Sequence, residues 1–229
     1  AERASKARAD FLSTVSHELR TPLNAINGIT YLLLQEKPKA SQLNYLKSLE
    51  FSGNYLLNFI NDILEINRLE SDKVVLEKIN FNLGELTENI VISFKEFIYE
   101  NNIKCHLNID KSINYNLKGD PTKLSQILIN LLNNAIKFSK NGDVWCNIIK
   151  KSETSNNVTL YFEIKDNGIG IPKDKQDAIF DSFSQGSVEI NRTYGGTGLG
   201  LSIVKKILEL MGIDFSYLTT EDIDREKNW

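Results

Sequence analysis

Two kinds of hydrophobic pattern divide the chain. Over residues 12–33, apolar side chains recur at alternating three- and four-residue steps: Leu12, Val15, Leu19, Ile26, Ile29 and Leu33, with Pro22 at the seam position between Leu19 and Ile26. Such a stripe predicts a helix that buries one face against a partner helix. A proline inside it removes a backbone hydrogen bond and tends to bend it. The helix is expected to stop before Pro38, since residues ahead of proline avoid helical angles. Residues 1–10 are polar and helix-prone, and extend it upstream. A second stripe, Leu46, Leu49, Leu56, Ile60 and Ile63 with Gly53 as a small gap, predicts a helix over about 41–69. The short link at 37–40 makes the pair an antiparallel hairpin. A lone hairpin leaves one apolar side of each helix uncovered. Two hairpins from two chains would close a four-helix bundle, so a homodimer is expected.

From about residue 73 the pattern changes. Residues 73–81 suit a strand, 83–101 an amphipathic helix, 103–109 a strand and 122–139 a helix. Strands follow at 144–149 and 159–165, joined by a Ser/Asn-rich turn, then a helix at 199–211. Helices and strands mix without a βαβ repeat, so an α+β sandwich is expected. The predicted domains are an all-α hairpin, 1–71, and an α+β domain, 72–229.

Composition narrows the function classes. The 229 residues are 41% hydrophobic with a net charge of -3. That charge is too mild to argue for nucleic acid or an anionic membrane surface. No run of about 18 apolar residues could span a bilayer, and the N-terminus carries no signal-peptide pattern. This stretch is therefore expected in the cytoplasm without membrane contact; an anchor, if the whole protein has one, lies elsewhere. Cys105 and Cys146 sit in no metal-spaced cluster and are expected to be free thiols in a reducing compartment.

His17 falls at heptad position f when Leu12 is a, opposite the seam, and so should face solvent. An exposed imidazole can attack an electrophilic phosphorus. Glu18 follows directly, placed to hold the ring tautomer or take its proton. Thr21 lies one turn along the same face, where a hydroxyl could position a water for the reverse hydrolysis. Alone, a His-Glu pair would be an ordinary surface feature. His106, the other histidine, lies in a predicted strand with no acidic partner nearby and reads as structural.

Four later segments carry polar chemistry. Asn130, Asn134 and Lys137 share one helical face, opposite the buried face carried mostly by Ile127, Leu128, Leu131, Leu132 and Ala135. Asparagine is a poor helix former; its oxygen suits Mg²⁺ and lysine suits phosphate, although a solvated face would look the same. Residues 166–172, Asp-Asn-Gly-Ile-Gly-Ile-Pro, form either a tight turn or an acceptor for an exocyclic amine such as that of adenine. Residues 180–184, Phe-Asp-Ser-Phe-Ser, open a polar stretch that reads as a lid with an apolar hinge or as a plain loop, with Arg192 in reach of phosphate. Residues 195–201, Gly-Gly-Thr-Gly-Leu-Gly-Leu, feed a helix whose N-terminal N–H groups suit phosphate. Six of the thirteen glycines fall in the second and fourth segments, so they are not scattered. Neither GxxxxGK[ST] nor a Rossmann GxGxxG after a strand is matched.

The run 11–23, Phe-Leu-Ser-Thr-Val-Ser-His-Glu-Leu-Arg-Thr-Pro-Leu, resembles the phosphoacceptor box of the HisKA-type dimerisation and histidine-phosphotransfer domain, matching at His17, Glu18, Arg20, Thr21 and Pro22. The four later segments, in order, resemble the N, G1, F and G2 boxes of the GHKL (Bergerat) ATPase superfamily in its histidine-kinase branch, over about residues 75–212. The resemblance implies the catalytic core of a hybrid-type or membrane sensor kinase. ATP and Mg²⁺ would be used to phosphorylate His17, with Glu18 as base and Thr21 assisting a phosphatase reaction. It implies Asn134 on Mg²⁺ with Asn130 nearby, Lys137 at phosphate and Asp166 at adenine. Phe180 and Phe183 would brace the lid, Gly196, Gly198 and Gly200 would line the phosphate loop, and Phe138, Gly168, Gly170, Arg192, Thr197 and Leu199 would complete the ATP-binding set. The implied partners are a second copy and the aspartate of a response-regulator receiver domain, with no nucleic acid; a sensor domain is not encoded here. A clamp-type GHKL ATPase would need no phosphoacceptor histidine, and a signalling scaffold would need no intact nucleotide segments. One departure stands out. The family's last two strands and glycine hairpin are only partly represented: residues 213–219 can supply one strand, while 221–229 are charged, so the second domain is expected to be incomplete at its end.

Overall fold

The computed structural model describes residues 2–70, 74–176, 178–181 and 197–216, with side chains at 11 and from 14 onward. They fall into two compact units, 1–74 with 181–203, and 75–180 with 204–229.

The first unit is built on α1 (Glu2–Gln35) and α2 (Ala40–Leu69). α1 runs through Pro22 and ends ahead of Lys37, whose φ of 54° lies in the left-handed region. The two helices do not meet along the expected apolar seam. They meet along a stripe of small and polar residues one step round α1: Ser16, Arg20, Asn27 and Thr30. Ser16 and Thr30 are buried. Arg20 Nη2 donates to Asn61 Oδ1 at 2.9 Å, and Asn27 Nδ2 donates to Asn54 Oδ1 at 2.9 Å. Gly53 packs so closely under the Asn27 amide that a Cβ there would collide with it. Of the predicted α2 seam, Gly53 and Ile60 turn inward. Leu19, Ile26, Ile29, Leu33, Leu49 and Leu56 stay between 41% and 60% exposed.

The second unit is an α+β sandwich, as the pattern predicts. Strands β2 (Lys104–Ile109), β4 (Asp143–Glu153) and β5 (Val158–Asp166) form a sheet in the order β2-β4-β5, parallel then antiparallel. A two-stranded antiparallel ribbon pairs β1 (Ile79–Phe81) with β3 (Leu117–Gly119). Inward residues Val144 and Cys146 alternate with outward Trp145 and Asn147, the period of a half-buried strand. The inward set packs against Leu128, Leu132, Ala135 and Ile136 of α5 (Pro121–Phe138) and Ile90 of α3 (Leu83–Ser93). Asn82 caps α3 by accepting from Glu85 N–H. Asp120 caps α5 through Lys123 N–H and, with its other oxygen, accepts from Glu77 N–H at 3.0 Å.

Several expectations need correcting. The single helix over 83–101 breaks at Phe94 into α3 and α4 (Lys95–Glu100). Ser93 Oγ bonds back to the Ile90 carbonyl at 2.6 Å, which competes with the backbone ladder at the break. The strand over 73–81 shrinks to Ile79–Phe81, because Glu77 is drawn to Asp120 rather than into a ladder. β3 is too short to have a readable pattern. The last helix, α6 (Gly200–Met211), ends in a Schellman turn at Gly212, φ 65°, with Ile213 N–H on the Leu208 carbonyl. Residues 213–216 then run without regular structure, and the rest of the expected strand lies outside the described residues.

Candidate active site

In the first unit, His17 stands on the outer face of α1 with its side chain 77% exposed, as its heptad position requires. Glu18 Oε1 lies 3.6 Å from His17 Nδ1. A carboxylate on that side favours the tautomer protonated at Nδ1, leaving the Nε2 lone pair outward. Thr21 is exposed one turn on, and its Oγ1 donates to the His17 carbonyl at 3.2 Å. The same unit contains the described end of the glycine-rich segment. Gly198 takes φ 70°, which a side chain would resist, and Leu199 is fully buried ahead of α6. Thr197 Oγ1 accepts from Leu199 N–H at 3.2 Å and donates to Asp62 Oδ2 at 2.7 Å. Burial pushes the Asp62 carboxyl up, and the Thr197 bond pulls the other way.

In the second unit, Asn130, Asn134 and Lys137 are half-buried along α5. Asn130 Nδ2 donates to the Gln126 carbonyl at 3.0 Å, which turns its amide nitrogen inward to its own helix. Lys137 Nζ lies 4.8 Å from the Phe138 ring centroid, and burial lowers its pKa. A cation held out of water in this way gains most from a phosphate partner. The Asp166 turn is fastened to the end of the same helix. Asp166 Oδ1 accepts from Gly168 N–H at 2.9 Å and from Ser139 Oγ at 3.3 Å, and Ile169 N–H donates to the Phe138 carbonyl at 3.2 Å. A Cβ on Gly168 would run into that carbonyl, so only glycine fits. Gly170 takes φ 68°. Phe180 packs edge-on against Phe215, centroids 5.1 Å apart. Phe183, Arg192 and Gly196 lie outside the described residues.

Sequence reading assigned no role to three neighbours of these residues. Ser139 closes the predicted helix over 122–139 and steadies Asp166; Asn167 lies within the 166–172 segment, and its Oδ1 accepts from Asp143 N–H at 2.7 Å. Asp62 had no sequence signal. His106 does have an acidic partner: its Nε2 lies 2.7 Å from Asp143 Oδ1, and its ring stacks on Trp145. That partner is 37 residues away in sequence and is placed by the β2–β4 pairing. Among the described residues, no three His, Cys, Asp or Glu side chains gather as a resident metal site would require. No helix of the described residues is long and apolar enough to cross a membrane.

Known protein families match both regions of the chain. Residues 7–72 match the His Kinase A (phospho-acceptor) domain, and residues 119–227 match the histidine kinase-, DNA gyrase B- and HSP90-like ATPase. The signal transduction histidine-protein kinase BarA of Escherichia coli (strain K12) is 39% identical over 217 residues, covering 95% of this chain and 24% of that protein. The chain thus spans about a quarter of that relative. Full-length ShkA in complex with AMPPNP is similar at 30% identity and TM-score 0.69, over 89% of this chain and 41% of that one. Histidine kinase ThkA in complex with response regulator protein TrrA is similar at 26% identity and TM-score 0.55, over 95% of this chain and 62% of that one. An exposed histidine on a paired-helix hairpin matching the phospho-acceptor domain, followed by an α+β domain matching the histidine kinase-like ATPase, places the chain in the histidine kinase family.

Proposed function

We propose that the chain phosphorylates its own His17 from ATP and passes the phosphoryl group to an aspartate of a response-regulator receiver domain. One observation carries the reading: the His17 imidazole is solvent-facing, with the Glu18 carboxylate on its Nδ1 side. Nε2 attacks the γ-phosphorus, the bond from phosphorus to the bridging oxygen breaks, and ADP departs with that electron pair. The Nδ1 proton passes to Glu18. Most of the rate enhancement then comes from positioning and charge neutralisation at the transferring group.

Residues 1–71 act as the dimerisation and phosphotransfer hairpin, and 72–229 as the ATP-binding domain. Asp166, oriented through Oδ1 by Gly168 and Ser139, accepts from the adenine amine. Lys137, the glycine loop from Gly196 to Gly200 and Arg192 receive the phosphates. A Mg²⁺ ion would be held by the Asn134 oxygen together with phosphate oxygens. It would screen the charge on the phosphates. The uncovered apolar stripe of the hairpin supports a homodimer. Thr21, exposed beside His17, supports a second activity, dephosphorylation of the regulator. The reaction takes place in the cytoplasm, where ATP and the regulator meet.

Incubation with γ-labelled ATP tests the reading. Label stable to base, lost in acid and absent from His17→Ala is expected. Bound nucleotide with no acid-labile label would instead favour a clamp-type ATPase.

A further inference from the structure

We infer that Asp62 of α2 is a latch on the glycine-rich loop, one that ATP phosphates must displace. The inference rests on the assignment of that loop to phosphate. Thr197 commits its single hydroxyl proton to Asp62 Oδ2 at 2.7 Å, and its oxygen accepts from Leu199 N–H at 3.2 Å. One side chain thus ties α2 to the start of α6. Asp62 is half-buried, and Thr197 is the only hydrogen-bond donor to its side chain among the described residues. Burial raises its pKa, and the bond to Thr197 offsets only part of the effect. What favours a carboxylate there is the positive N-terminal end of α6, at which the Thr197 bond aims it.

A triphosphate entering this loop seeks the same positive end, and the Leu199 N–H there is already bonded to the Thr197 hydroxyl that Asp62 holds. Two anions cannot share that end without repulsion. Nucleotide binding and the Asp62–Thr197 bond therefore oppose each other, and by linkage each weakens the other equally. While the loop is empty it is held on α2. When phosphates arrive, the bond breaks and the loop is released from the helix. Asp62 is in this sense a regulatory residue: it touches neither the nucleotide nor His17.

The test uses the whole chain, titrated calorimetrically with AMPPNP and Mg²⁺, and separately with adenosine. Asp62→Asn keeps the size and the acceptor oxygen but removes the charge; Asp62→Ala removes both. Both are expected to bind AMPPNP about 5- to 10-fold more tightly than the parent chain, with adenosine binding unchanged because it brings no phosphate. Unchanged or weaker AMPPNP binding in both variants would overturn the latch, as would an equal gain for adenosine. Should Asp62→Ala lose its far-ultraviolet dichroism, the isosteric Asp62→Asn decides alone. A parent chain that binds adenosine but gains nothing from the phosphates of AMPPNP would remove the phosphate-loop assignment, and the latch with it.

Discussion

The hairpin and the sandwich solve the burial problem in opposite ways. In the sandwich, Leu128, Leu132, Ile136, Val144, Cys146 and Ile148 are all at or below 1% exposed, sealed by their own chain. In the hairpin, Ser16, Arg20, Asn27, Thr30 and Gly53 line the contact and Ile60 and Ile66 are also buried, while Leu19, Ile26, Ile29 and Leu33 of α1 stay 42–60% exposed. An inner face this polar beside an outer face this apolar partly inverts the usual order of a soluble fold. The inversion is stable if the outer face is the inner face of something larger. Polar pairs such as Asn27–Asn54 then fix the register within one chain, and the apolar stripe supplies the association energy between two. The sandwich should therefore be indifferent to a second copy, and the hairpin should depend on it.

The largest effect should come from opening the sealed core. Leu132→Ala is expected to cost about 2–5 kcal/mol of stability, read as an earlier denaturant midpoint for the sandwich. A loss below about 1 kcal/mol would mean that the core is looser than its burial implies. Next, Ile26→Asp with Ile29→Asp should convert a dimer to a monomer in sedimentation at micromolar concentration. The sandwich should unfold as before. A parent chain already monomeric would break the comparison.

A smaller, local effect is expected where the Asp166 turn meets α5. Gly168→Ala forces a methyl group into the Phe138 carbonyl, and should cost about 1–3 kcal/mol together with nucleotide affinity in calorimetry. The mildest test concerns the thiols, which are free and lie within the sandwich. Burial, with the neighbouring Cys105, pushes the Cys146 thiol up to about 11, and burial also raises Cys105. The reactive thiolate is therefore scarce at pH 8. Iodoacetamide should leave Cys146 unmodified and label Cys105 slowly in the native chain, with both labelled in denaturant. Rapid native labelling of Cys146 would show that the sheet opens.

Much of this was legible in local spacing. The helices of the hairpin, α5 and the strands β4 and β5 announce themselves by period, and His17 by its heptad position. The Asp166 and Gly198 segments stand out because glycine is costly unless a backbone needs it. What could not be read was the choice of face. The heptad rule finds an apolar stripe but does not say whether the partner helix belongs to the same chain. Nor does any local rule foresee that Ser93 would break a helix at Phe94, or that three residues at 117–119 would form a strand.

By itself the sequence determined the long helices, the strands β4 and β5, and that His17 faces water, because each of these depends on neighbours within a turn or two. Only the tertiary structure decided that His106 meets Asp143, that Asp120 ties Glu77 to α5, that Ser139 orients Asp166 and that Asp62 holds Thr197. Those partners lie from 27 to 135 residues apart. At such separations spacing carries no geometric information. The side chains become neighbours through strand register and helix packing, which bury apolar area and satisfy backbone bonds first and leave polar groups to pair where they land.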